Sequence, residues 1–167
     1  MTRAHEDVEI SVFRHHQRAL QRHFAGRPLF KVPRRGEWEA WEDGEFLDLP
    51  IHQVLVRPRG GGPPPAAWQP ERGELQFFLN EAEAGIWLCR RDQRVTRHVR
   101  EVAVRSDLGI PIVAPEIQLL YKAAHDEPKN EHDFGLVAES LSGKQRTWLR
   151  EALGVVHPGH RWIQALP

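Results

Sequence analysis

Apolar and polar residues alternate in short runs through the first two-thirds of this 167-residue chain and recur at helical spacing in the last third. A period of two marks a half-buried strand, and a spacing of three to four marks one face of a helix. Val8 to Phe13 therefore reads as a strand. His15 to Ala25 reads as a helix with Leu20 and Phe24 on one face, stopped by Gly26 and Pro28. Leu29 to Val32, Phe46 to Leu49 and Val54 to Val56 are further strand patterns, and Glu37 to Trp41 alternates ahead of an Asp43-Gly44 turn signal. The Gly-Gly-Gly-Pro-Pro-Pro run inside Arg59 to Ala66 is a loop. Glu74 to Leu79 and Ile86 to Cys89 are strand-like, with Ala84-Gly85 as a hairpin turn between them. Val95 to Val104 alternates weakly, and Ile110 to Val113 is a short apolar run.

The pattern changes at Pro115. That residue suits the first turn of a helix carrying Ile117, Leu119, Leu120 and Tyr121. A second helix is predicted from Asn130 to about Leu141, with Phe134, Val137 and Leu141 on one face. Ser142 caps a third, which carries Trp148, Leu149, Ala152 and Leu153 and ends at Gly154. Strands followed by helices predict an α+β fold. The predicted organisation is a sheet region over 1–114 and a C-terminal helical region over 115–167 packed on it as one compact unit.

Composition narrows the function classes. Lysine plus arginine balances aspartate plus glutamate, so bulk attraction to nucleic acid or an anionic membrane is not supported. A single cysteine, Cys89, excludes an internal disulfide and a cysteine-based zinc framework, and fits a reducing, cytoplasmic setting. No apolar run approaches the roughly 18 residues of a transmembrane helix. The charged start predicts no signal peptide.

Four groups of residues carry candidate chemistry. On a strand, Asp7 and Glu9 share a face about 7 Å apart, where two hard oxygen ligands suit Mg²⁺; the competing reading is a solvated acidic patch. Lys122 lies beside an apolar stripe, while Lys129 and Asp133 are spaced for an ion pair on adjacent helical turns. His157 and His160 flank Pro158-Gly159, which argues for a turn rather than a metal site. Arg90, Arg91, Arg94, Arg97 and Arg100 form either a phosphate-binding run or a solvated hairpin tip.

The segment Arg3-Ala4-His5-Glu6-Asp7-Val8-Glu9-Ile10 resembles the Arg-x-His-x-Asp-x-Asp strand of the nucleotidyltransferase superfamily, in its aminoglycoside adenylyltransferase-like, DNA polymerase β-like group. Leu119-Leu120-Tyr121-Lys122-Ala123, Lys129-x-x-x-Asp133-Phe134, Trp148-Leu149 and His157-Pro158-Gly159-His160-x-Trp162 resemble the second half of that family. The resemblance implies a mixed β-sheet with flanking helices, a nucleoside triphosphate as substrate, Mg²⁺ as cofactor and transfer of a nucleotidyl group to a hydroxyl of a small acceptor. It makes Asp7 and Glu9 the catalytic pair of metal ligands. It gives Lys122, Lys129 and Arg3 the phosphate charge to neutralise.

Three departures bear on catalysis. Glu9 stands where the family pattern has aspartate, so its carboxylate is displaced by roughly 1 Å or more, enough to disturb a site that depends on positioning. Gln76 stands where the third acid aligns, with Glu74 and Glu81 as the nearby carboxylates. No glycine turn for the triphosphate precedes the motif, so the chain reads as shortened at its N-terminus. The missing elements would leave a sheet edge uncovered, which predicts a homodimer. Three readings stay open: a transferase of impaired activity, a catalytically inactive relative that binds nucleotide or protein, and an unrelated α+β binding domain whose acids and arginines only decorate the surface.

Overall fold

The computed structural model describes residues 8–34, 36–65 and 73–167. The chain forms two compact units, 1–81 and 82–167. It is α+β, with about a third of its residues in helices and about a quarter in strands. No helix among the described residues is long and apolar enough to cross a membrane.

The first unit contains β1 (Glu9–Phe13), α1 (Gln17–His23), β2 (Leu29–Lys31), β3 (Glu39–Ala40), β4 (Gln53–Val56) and most of β5 (Leu75–Glu83). Its strands lie in the order β3-β2-β4-β5-β1. The β1–β5 pairing is parallel and the others are antiparallel, so the sheet is mixed. Period two decides what each face holds. Val54 and Val56 of β4 and Phe77 and Leu79 of β5 form the buried cluster with Leu20, Trp41 and Leu47, and Ile10 and Val12 of β1 pack against it. Leu20 and Phe24, one turn apart, bring α1 to the same cluster.

Phe46 to Leu49 does not form the strand its apolar run predicts. Leu47 is buried, whereas Phe46 and Leu49 are exposed. Side chains take the place of a neighbouring strand. The Gln17 amide is fully buried and accepts from the Leu47 N–H at 2.7 Å while donating to the Leu47 carbonyl at 3.1 Å. Arg14 Nη1 donates to that carbonyl and to the carbonyl of Ile51, each at 2.7 Å.

The second unit contains the end of β5, β6 (Ile86–Leu88), β7 (Thr96–His98), β8 (Ala103–Arg105), β9 (Pro111–Val113), α2 (Pro115–Lys122), α3 (Pro128–Val137), α4 (Gly143–Val156) and α5 (Trp162–Ala165). Ala84 and Gly85 both have positive φ, at 47° and 82°. They form the two-residue turn into β6, whose twist suits a hairpin. The alternation from Val95 to Val104 is not one strand: a 3₁₀ turn at Val99–Glu101 separates β7 from β8.

The helices begin where their capping signals stand. Pro115 and Pro128 occupy first turns, and Ser142 with Gln145 forms a reciprocal capping box. α3 starts two residues before the predicted Asn130 and stops at Val137, with a 3₁₀ turn over Ala138–Ser140 in place of its last predicted turn. Strand gives way to helix at Pro115 as the pattern predicts, yet the compact units divide within β5. The reason lies in bonds from the strands to the helices of the same unit. Trp148 Nε1 donates to the Thr96 carbonyl at 3.0 Å, and Lys144 pairs with Glu101 at 2.7 Å.

Replacing Gln17 with leucine removes the amide oxygen that accepts the buried Leu47 N–H. We expect urea unfolding to show a loss of about 1–3 kcal/mol, the usual cost of an orphaned buried donor.

Candidate functional site

Strand register sets Glu9 beside Gln76, the position that the resemblance aligns with the third acid. Glu9 is paired with Gln76, Gln76 with Leu55, and Leu55 with Phe30, in one lateral row across four strands. Because Ile10, Val12, Phe77 and Leu79 serve the core cluster, the alternate positions Glu9 and Gln76 project from the opposite face. Glu9 is exposed, whereas Gln76 retains 8% of its accessible surface. Neighbouring strands stand about 4.8 Å apart, so these two side chains are adjacent. Asp7 and Arg3 lie outside the described residues. Among the described residues β1 pairs with β5 alone.

The two other carboxylates near Gln76 are already engaged. Glu81 Oε1 receives Arg14 Nε at 2.6 Å, and Glu74 lies 2.6 Å from Arg57 Nε with 1% of its side chain exposed. The donor set in this row is therefore one carboxylate and one neutral amide. Mg²⁺ is commonly held by one or two carboxylates plus substrate phosphates, so Glu9 fits part of such a site. No cluster of three or more His, Cys, Asp or Glu residues with metal-binding geometry occurs among the described residues.

The predicted phosphate-binding lysines lie in the second unit. Lys122 is the last residue of α2, and its Nζ meets Asp133 at 2.8 Å with less than a fifth of either side chain exposed. Lys129 is more exposed and pairs with Glu127 at 2.8 Å, which holds the Glu127 carboxyl below its usual pKa. The end of α2 is unusually well fastened. Arg91 donates to the carbonyls of Leu120 at 3.1 Å and Tyr121 at 2.9 Å, and Asn130 Nδ2 donates to those of Lys122 at 3.3 Å and His125 at 2.8 Å. Arg91 thus supplies a donor to Leu120 at the helix end, while the Tyr121, Lys122 and His125 carbonyls also accept the N–H groups of Ala124, His125 and Glu127. These bonds also set the starting point of the Lys122 side chain.

The arginine run is not one phosphate patch, because its members point to different partners. Arg91 caps α2 and, with Arg90, lies over the Tyr121 ring at 5.0 and 5.8 Å. Burial, with Cys89 alongside, pushes the Tyr121 phenol up to about 12 and keeps it neutral. Arg94 grips Asp92, whose carboxyl falls to about 2 as a result. Arg97 is buried, with Nη2 2.7 Å from Glu116 and its guanidinium 4.8 Å from the Trp148 ring centre. Gln145 Nε2 donates to the second Glu116 oxygen at 2.8 Å. Glu116 sits in the first turn of α2, where the helix dipole favours its charge. Asp92 lies within the run, but nothing in the local spacing signals the partners of Arg91 and Arg97, which come from helices later in the chain.

Comparison with protein-family models, curated proteins and solved structures returns no match.

The buried pair gives a direct test of this division of roles. Arg97→Met strands the Glu116 carboxylate and should cost about 3–5 kcal/mol by urea unfolding. Adding Glu116→Leu to it should recover most of that loss, because apolar residues can replace a buried pair.

Proposed function

We propose that this chain is nucleotidyltransferase-like, taking a nucleoside triphosphate with Mg²⁺ and passing its nucleotidyl group to a hydroxyl of a small molecule. The observation that supports this reading is the register of Glu9 with Gln76. These are the positions that the family resemblance gives to the second and third acids of the metal site, and they are side by side.

In this reading Glu9, with Asp7, holds Mg²⁺, which when bound neutralises phosphate charge. The resemblance gives Lys122, Lys129 and Arg3 the task of adding positive charge to the phosphates. Lys122 Nζ meets Asp133 at 2.8 Å at the end of α2. The acceptor hydroxyl must lose a proton as it attacks, and a carboxylate in the third position would take it. Gln76 cannot, since an amide is not a base at neutral pH. That single side chain favours the second reading, a nucleotide-binding relative with little or no turnover. A cytoplasmic location and a homodimer accompany either reading.

Calorimetry with ATP and Mg²⁺ separates these readings from a chain that binds no nucleotide. Wild-type protein should bind and Asp7→Ala should not; absence of wild-type binding would falsify the transferase reading and leave of the second only a relative that binds protein. Gln76→Asp then distinguishes transfer from binding alone. Under the transferase reading it raises pyrophosphate release by about 10²-fold or more, the usual contribution of a positioned base. Under the binding reading it tightens Mg²⁺-dependent binding and releases none.

A further inference from the structure

The turn between α4 and α5 holds two histidines as hydrogen-bond acceptors. His157 follows the last residue of α4, and its N–H still bonds the Leu153 carbonyl at 2.8 Å. The His160 N–H bonds the His157 carbonyl at 3.0 Å, which closes the turn through Pro158 and Gly159. His157 Nε2 lies 3.1 Å from Arg91 Nη1. Arginine has only donors and stays protonated, so Nε2 must be the acceptor. The His157 proton is then on Nδ1. His160 has the opposite arrangement: its Nδ1 accepts the Trp162 backbone N–H at 3.2 Å, which leaves its proton on Nε2.

We propose that the His157-Pro158-Gly159-His160 turn is an acid-released fastening, docked on Arg91 and on the first residue of α5 only while both imidazoles are neutral. A proton on His157 Nε2 would set two donors and two positive charges against each other at 3.1 Å. A proton on His160 Nδ1 would oppose the Trp162 N–H in the same way. Either event removes a bond rather than weakening it. Arg91 keeps its two carbonyl bonds to α2, so acid detaches the turn and leaves the end of α2 capped.

The surroundings push in the same direction. Burial lowers the His157 pKa, and the charges of Arg91, His160 and His125 lower it further. Burial also lowers that of His160 and Arg161 adds to this, while Glu131, Asp126 and a bond to the Ala123 backbone oppose it without reversing it. A histidine pKa below its unfolded value near 6.5 means that the unfolded chain binds the proton more readily. The stabilisation is therefore full above about pH 6.5 and is lost as pH falls toward the folded value. The element affected is α5, whose Trp162 is stacked on Phe134 with ring centres 4.4 Å apart and donates through Nε1 to Glu131 at 2.8 Å.

Long-range ¹H–¹⁵N NMR of the histidine rings in the full chain tests this. At pH 7.5, His157 should appear as the Nδ1–H tautomer and His160 as the Nε2–H tautomer. Both should titrate below 6.5, and the Trp162 backbone amide should shift with the His160 midpoint. In Arg91→Gln, which removes the charge, the His157 midpoint should move up toward 6.5. An Nε2–H or protonated His157 at pH 7.5, a wild-type midpoint at or above 6.5, or a Trp162 amide indifferent to the titration would overturn the proposal. If Arg91→Gln does not fold, the wild-type tautomers and midpoints decide it alone.

Discussion

A buried backbone carbonyl or N–H must have a partner, and much of this protein depends on long polar side chains to supply one. Gln17 and Arg14 do so for Leu47, where no strand is available. Arg91 supplies the Leu120 carbonyl at the last turn of α2, and Arg91 and Asn130 add second donors to the Tyr121 and Lys122 carbonyls. Gln17, Arg14 and Arg91 reach segments distant in the sequence, so their bonds also fix tertiary structure. The fastening of Leu47 sets one wall of the first core. The fastening of α2 fixes the helix from which Lys122 departs.

Much of the fold is legible from local pattern because local physics decides it. Period two marks Val8 to Phe13 and Leu29 to Val32, and the capping box marks Ser142. Where a remote group decides, the pattern misleads. Phe46 to Leu49 is apolar enough for a strand, but Gln17, 30 residues away, satisfies Leu47 and leaves that backbone irregular. Val95 to Val104 alternates, yet the chain turns at Val99–Glu101. The spacing of Lys129 and Asp133 does not reveal that Asp133 meets Lys122 from another helix.

The same distinction runs through the candidate site. Glu9 and Gln76 could be matched only through a family resemblance, since 66 residues separate them and no periodicity links them. Their register turns that match into a specific chemical contrast, a carboxylate beside an amide. The arginines were the least legible group. Their clustering in sequence looks like a charge patch, but folding disperses them to a helix end, a neighbouring aspartate and a buried glutamate. A positive run in sequence is a positive surface only if nothing in the fold claims its members.

Helices α2 to α5 have the look of a separable module, with a proline at the start and a continuous run of capped helices. The partners of their charged and terminal groups say otherwise. Glu116 is neutralised by Arg97, the α2 carbonyls are closed by Arg91, and the Trp148 indole rests on Thr96. A cut at Pro115 would keep every helix and discard all three. For anyone dividing this chain into fragments, the natural cleavage point is set by where charges are compensated, and the change from strand to helix is a poor guide to it.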